Sequence, residues 1–432
     1  MDILFSGVTV VTMDEGFTVL KDAYVGVTGQ KISYVGAEPP PDKPGRVISG
    51  AHKVLMPGLC NAHTHIPMTL LRGYADDYAL QPWLFDHICP AEEKMTDDMV
   101  YWGAKLATME MLAGGTVSFS EMYDHMLAVG RAADESGMKA NLSRALLHPE
   151  GGTYNFWTDE RAMAARALVD RYRDSDGRIR VDMAVHAEYT SHPEVWELAA
   201  RYMIDNELGM HVHLSETRAE HEACKEKYGR TPARMFQMAR VFETRAYAAH
   251  CVWLENDDFE ILREMGVSIV HCPVSNAKLA SGAANVPQML ERGINVALGT
   301  DGVASNNSHD MFGEMKTAAL VGKLSRRDPE VLRVEDILRM ATQGGYAAQG
   351  REEEGGRVKP GMDADLILLD FDKPHLTPCH NVMSHLVYAA RSSDVALTMV
   401  RGKVLYEDGQ WLTIDAGKVL SEVRKAVKIY HS

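Results

Sequence analysis

The chain opens with apolar and polar positions in short alternation, ILFSGVTVVTM and then DAYVGVTGQKISYVGA, with glycines at the reversals. A period of two broken by turn residues predicts short strands. The prolines of EPPPDKPGR predict a loop, because proline cannot donate to a sheet ladder. Beyond it the pattern changes to compact apolar runs. These are VLMPGLC, TVSF (116–119), ANLSRALL (140–147), IRVDMAVH (179–186), GMHVHL (209–214), AYAAHC (246–251), VSIVHC (267–272) and INVALG (294–299). Stretches of helical period, such as TDDMVYWGAKLATMEMLAGG, lie between them. This alternation predicts an α/β chain of repeated βα units around a parallel core, a (β/α)8 TIM-type barrel over residues 57–356. Closure is inferred from the strand count, and periodicity leaves an open doubly wound sheet as the alternative. From about 357 strands return in ADLILLDF, VALTMVRGKVLYEDG and QWLTI, before a final helical segment, GKVLSEVRKAVKIY. The expected organisation is thus a barrel flanked by a small β-sandwich built from both chain ends, residues 1–56 and 357–432.

Composition narrows the function classes. Apolar residues make up 46% and charged residues 24%, an ordinary globular balance that excludes a disordered chain. No apolar run is long enough for a membrane-spanning helix, so no membrane partner is expected. The acidic Asp2 and the lack of a basic start argue against a secretory signal. With 45 Lys and Arg against 60 Asp and Glu, the net charge of −15 disfavours a nucleic-acid partner. Six cysteines without a CxxC pair fit a reducing cytoplasm and argue against a disulfide framework or a thiolate zinc knuckle. The 18 histidines are the unusual feature, and their positions matter more than their number.

Four predicted strands end in His or Asp. The first runs into Asn61-Ala62-His63-Thr64-His65, where His63 and His65 share one face of an extended chain. Two converging imidazoles are half of a divalent-metal site, though a lone HxH is weak evidence and often marks packed core histidines. A second HxH, His211-Val212-His213, is followed at once by Leu214-Ser215-Glu216. His250 ends AAHC and Asp301 ends LGTD. The C-terminal strand ends of a βα barrel form its active face, so these distant residues would converge there.

The series MPGLCNAHTH, HLSE, AHC and GTDG resembles the amidohydrolase superfamily over essentially the whole chain, with KPGMDADLILLD and TMVRGKVLYEDG matching its flanking strands. Within it, NAHTHIPMTLLRGYADD, WLF, NLSRALL and LGTDGVASNNS look most like 5-methylthioadenosine/S-adenosylhomocysteine deaminases. The resemblance implies His63, His65, His213 and Asp301 as ligands of one divalent metal. Zn²⁺ suits such a set best, while Fe²⁺ and Mn²⁺ also fit it. Binuclear members carry a carboxylated Lys on the fourth strand; IRVDMAVHAEYT has none, so one metal is expected. His211 is expected behind the ligands and Lys139 on the surface as a solvated cation. The implied reaction is attack of a metal-activated water on C6 of adenine, with Glu216 as proton shuttle to N1, Asp301 as ligand and proton carrier, and His250 orienting the water. Substrate contacts are implied at Trp83, Glu92 (with Glu93 beside it), Arg144 and His186, besides Glu216 and Asp301. Members that take S-adenosylhomocysteine carry a further Arg after the third strand for its carboxylate. The loop LHPEGGTYNFWTDER has none at the matching spacing, although Arg161 could serve. The expected substrate is therefore an adenosine-type nucleoside. The alternative is another N-heterocycle, such as guanine, a pterin or a triazine, losing an amine or chloride. The sequence is compatible with a homo-oligomer, and a barrel kept as a mere scaffold is disfavoured by the complete ligand set.

Overall fold

A computed structural model describes residues 1–148 and 153–430. The N-terminal strands are β1 (Ile3–Val11), β2 (Val19–Thr28), β3 (Lys31–Gly36), β4 (Arg46–Ser49) and β5 (Lys53–Pro57). Eight parallel strands follow: β6 (Leu59–Thr64), β7 (Thr116–Tyr123), β8 (Lys139–Leu146), β9 (Ile179–Val185), β10 (Met210–Leu214), β11 (Ala246–His250), β12 (Ser268–His271) and β13 (Val296–Leu298). They pair in sequence order, and the ring closes through one parallel bridge, Thr64 to Asp301, where the Asp301 N–H donates to His63 O at 3.0 Å. The fold is a (β/α)8 barrel. Its strands are buried on both faces, as a parallel sheet covered by helices requires.

The last strands are β14 (Leu366–Asp370), β15 (Val395–Val400), β16 (Lys403–Glu407) and β17 (Gln410–Trp411). They join the first five in one continuous nine-stranded sheet, because β14 pairs antiparallel with β5 in the register Ile367 to Met56. Phe5, Val25, Leu55, Leu366 and Leu397 share its core. The run VLMPGLC, read as one strand, is divided between the two sheets at Gly58. A Cβ there would lie 2.2 Å from Val117 Cγ1, so only glycine lets the chain cross between the layers.

Lys139 departs from expectation. It is fully buried at the start of β8, with Nζ 2.8 Å from Glu354 and 2.7 Å from both Asp363 and Asp365. The carboxylates come from the segment that joins barrel and sheet, more than 200 positions away, so nothing local in the sequence marks the lysine as paired.

Candidate active site

The candidate metal ligands and His250 sit where barrel strands end. His63 lies in the last turnings of β6 and His65 just past it; His213 lies on β10, His250 closes β11, and Asp301 follows β13. Asp301, His250 and Ser215 have positive φ, 63°, 71° and 47°, a conformation costly for side-chain-bearing residues and common where geometry serves a site.

The hydrogen bonds fix the imidazole tautomers. Ser143 donates to the Glu121 carbonyl at 2.7 Å, so its oxygen is left to accept from His211 Nδ1 at 3.3 Å. His211 Nε2 then accepts from His63 Nδ1 at 2.8 Å, which leaves a lone pair on His63 Nε2. His65 Nδ1 faces the Met122 carbonyl and His213 Nδ1 the His186 carbonyl at 2.8 Å, so both rings also turn bare Nε2 atoms inward. His213 Nε2 and His65 Nε2 are 3.3 Å apart, and Asp301 Oδ1 is 3.4 Å from His63 Nε2 and 3.2 Å from His65 Nε2. His63 Nε2 is buried without a hydrogen-bond partner. The other Asp301 oxygen is held by Ser275 at 2.7 Å and Ser305 at 2.8 Å.

With the rings neutral, three lone pairs and a carboxylate oxygen face one another, an arrangement relieved either by a metal ion or by a proton shared between His65 and Asp301. Burial opposes charge on His65, yet the Asp301 carboxylate offsets it and holds the ring up to about 9. Burial takes His63 down to about 4. Burial by itself would raise Asp301, but the two facing imidazoles outweigh it and hold the acid well below its ordinary range. The donor set fits one divalent metal of the zinc type. His250 is a further neighbour: ligand atoms of His63, His213, His250 and Asp301 all lie within 4.8 Å of one another.

Beside the donors sit the proton-handling groups. His250 Nδ1 donates to Asn276 Oδ1 at 2.8 Å, so Nε2 points at Glu216 Oε2, 3.6 Å away. Ser281 donates to Glu216 Oε1 at 3.0 Å. Burial pushes the Glu216 carboxyl up, with His250 working against it. Burial would lower His250, but Glu216 and Asp301 reverse the direction.

A cavity of about 300 Å³ opens over these groups and is lined by Trp83, Glu92, His186, Glu216, His250 and Asp301 among others. Trp83 Nε1 donates to Ala75 O at 3.1 Å, which turns its ring edge into the wall. Tyr123 donates to Glu92 Oε1, and burial raises the Glu92 carboxyl against that bond. Glu93 is exposed, although it reaches the rim. His186 lies 4.6 Å from the His213 ring and is taken by burial to about 3.

Arg144 is placed differently from the rest. Its guanidinium pairs with Asp124 and lines a neighbouring cavity of about 590 Å³. Arg161 lines both cavities, makes no ion pair among the described residues, and keeps a buried Nε without a hydrogen-bond partner. Residues 149–152 of the third-strand loop lie outside the described residues. Sequence reasoning missed Ser143, Ser275, Asn276 and Ser281. Only SNA at 275–277 offered a signal, polar residues just past a strand end, which is where the barrel does its chemistry.

A barrel with a His/Asp metal centre at its strand ends is the architecture of metal-dependent hydrolases, and comparison narrows the class. The amidohydrolase family model matches residues 54–405, and the chain belongs to that family. It is 45% identical over 431 residues to a 5-methylthioadenosine/S-adenosylhomocysteine deaminase of Pelotomaculum thermopropionicum, covering 98% of each chain. It is 43% identical to a 5′-deoxyadenosine deaminase of Methanosarcina mazei, covering 99% of this chain and 98% of that one. Among solved structures, an adenosine deaminase from Xanthomonas campestris with bound zinc superposes with TM-score 0.94 at 33% identity, covering 100% of this chain and 98% of its own. Among the described residues no helix is long and apolar enough to cross a membrane.

Proposed function

We propose that this chain hydrolytically deaminates an adenosine-type nucleoside, 5′-methylthioadenosine, S-adenosylhomocysteine, 5′-deoxyadenosine or adenosine, to the inosine analogue and ammonia. One observation carries the reading: a single cavity is lined by three of the metal donors, His65, His213 and Asp301, by a buried acid beside an imidazole, and by a second acid, Glu92. The donors and the acid–imidazole pair serve any aminated heterocycle, and the second acid suits the hydroxyls of a sugar.

His63, His65, His213 and Asp301 would hold the ion, which when bound supplies Lewis-acid activation of a water, lowering its pKa towards ~7. The chain does the rest. Glu216, its carboxyl pushed up by burial against the pull of His250, delivers a proton to ring N1 as C6 becomes tetrahedral. His250, its tautomer set by Asn276, aims Nε2 at the same region and orients the attacking water. Asp301 takes one proton from that water and returns it to the departing amino group, and the water's other proton restores Glu216 as the C6 carbonyl forms. Trp83 packs beside the nucleoside, His186 borders it, and Glu92 accepts the ribose hydroxyls. Arg161 takes the carboxylate of a homocysteine-bearing substrate, in the passage it shares with Arg144. The six cysteines are all unpaired, which supports a reducing cytoplasm as the compartment.

Ammonia release from the four nucleosides, set against ammonia release from guanine and a pterin and chloride release from a chlorotriazine, tests the reading. Activity on adenine nucleosides is expected, and turnover confined to the other heterocycles would overturn it. Arg161→Ala should lose ~10–100-fold in kcat/KM on S-adenosylhomocysteine, the scale of a charge-assisted hydrogen bond, with little change on 5′-methylthioadenosine. Equal losses on both would remove Arg161 from carboxylate recognition.

A further inference from the structure

We infer that Tyr430, in the turn that follows the last helix, is a positioning residue for nucleoside recognition: it pins the cavity's outer wall in place and thereby sets the place of Glu92. The inference rests on the deaminase reading for its kinetic consequence and on contacts for its structural one.

The wall in question runs from residue 72 to residue 95, between β6 and the helix Asp97–Ala113. It supplies Leu80, Trp83, Phe85, Cys89 and Glu92 to the cavity. Its second half is one unbroken helical run from Leu80 to Glu92, in which Trp83–Ile88 take the wider π form between the α-helical turns Leu80–Pro82 and Cys89–Glu92. A helix this short is marginal on its own, because helix nucleation is unfavourable and is offset only with length. Its order must come from tertiary contacts.

The far end of the chain provides them. After β17 the chain crosses the outside of the helix Asp97–Ala113, where Trp411 donates to Met109 O at 2.8 Å. The helix Ala416–Ala426 packs there, and the turn Val427–Tyr430 carries the chain on to the wall. The Tyr430 hydroxyl donates to Ala91 O at 3.1 Å, and its ring meets Tyr74 edge-on with centroids 5.6 Å apart. One side chain thus ties together two points of the wall far apart in sequence. Ala91 is buried and immediately precedes Glu92, whose carboxyl sits close enough to Tyr430 to raise that phenol, after burial, to about 12. A hydrogen bond to the carbonyl before Glu92 fixes the backbone from which that acid reaches across to Tyr123. Because Tyr430 touches no metal donor, it acts on sugar binding and leaves the chemical step alone.

The test combines kinetics with amide hydrogen exchange on the intact, metal-replete protein. Tyr430→Ala should raise KM for adenosine about fivefold or more, the scale of one neutral hydrogen bond plus an aromatic edge contact, with kcat within about twofold. The rise should be smaller for 2′,3′-dideoxyadenosine, which offers Glu92 nothing to bind. Tyr430→Phe keeps the ring on Tyr74 and should fall between the two. Exchange should quicken at amides 74–93 and stay unchanged in the helix Asp97–Ala113. Unchanged exchange in the wall, or a loss confined to kcat, would overturn the proposal. A wild-type protein inert on every adenine nucleoside would sink the deaminase reading instead, while the exchange arm still judges the Tyr430 contact.

Discussion

At the scale of single residues, function here depends on where protons are forbidden to sit. Ser143 spends its hydrogen on a backbone carbonyl, and that choice passes through His211 to leave His63 Nε2 bare. The same logic separates ligand from acid: Asp301 is held ionised by imidazoles, whereas Glu216, 3.6 Å from His250, is pushed toward the protonated form by burial. Glu216→Gln keeps shape and one donor but cannot transfer a proton, so kcat should fall at least ~10²-fold while bound zinc, measured by elemental analysis, stays at the wild-type level. A Gln variant with full metal and kcat within about tenfold of wild type would take Glu216 out of the mechanism. His63, His65 and His213 were legible as candidates not from one HxH, which is weak by itself, but from two such pairs, an AHC and a GTDG all falling at predicted strand ends. Ser143, Asn276 and Ser281 were not, since a serine or asparagine in an apolar run gives no sign of which ring it will meet. Arg144, implied as a substrate contact, pairs with Asp124 just past β7, a partner that nothing local in its own strand announces.

At the scale of elements, the barrel strands were legible as runs because burial on both faces makes them continuously apolar. Their division at Gly58 was not, because it depends on Val117 approaching from β7. Lys139 belongs to the same class. Its ammonium is encircled by Glu354, Asp363 and Asp365, and Asp365 also accepts from Tyr346 at 2.8 Å, so the cluster bolts β8 to the segment entering the nine-stranded sheet. Removing only the cation leaves the buried Asp365 without an ion-pair partner, Asp363 with Lys31 and Arg401, and Glu354 with Arg180 and Arg351, and Lys139→Met should cost ~3–5 kcal/mol in urea unfolding. The pH dependence has a definite sign. Burial would lower Lys139, but the three acids raise it, so its share of stability is present below the ordinary lysine range and is lost as pH rises through the raised value. Asp363 and Glu354 are held below their ordinary values despite burial, so their share is present above ~4 and is lost on acidification. The difference between the two proteins should therefore be widest near neutrality and shrink below about pH 4. A variant as stable as wild type at pH 7 would mean that the surrounding cations, Lys31, Arg401, Arg180 and Arg351, suffice for the acids without Lys139.

At the scale of the whole molecule, the metal centre and the closure of the barrel are the same place. β13 spans only Val296–Leu298, and the seam with β6 is bridged at Thr64 and Asp301, the latter itself a proposed ligand. His63 and His65 stand on the other side of that seam, and His213 reaches in from β10 across the barrel. An ion held by these four would clasp the ends of the ring to its far wall. Without it, lone pairs confront one another across 3.3 Å unless a proton is drawn in between His65 and Asp301. Binding to the folded state alone stabilises by ~2.7 kcal/mol at a hundredfold excess over Kd, so chelator-stripped protein should melt measurably lower than zinc-replete protein. Exchange should quicken first at amides 59–65 and 296–301, with the nine-stranded sheet unaffected. Stoichiometry should approach one ion per chain. β9 offers no lysine to bridge a second ion, and its buried Asp182 is already committed to Arg245 and Tyr247. Two tightly held ions, or identical melting with and without zinc, would show that the seam closes by backbone pairing alone and that the donors were arranged for something other than one metal.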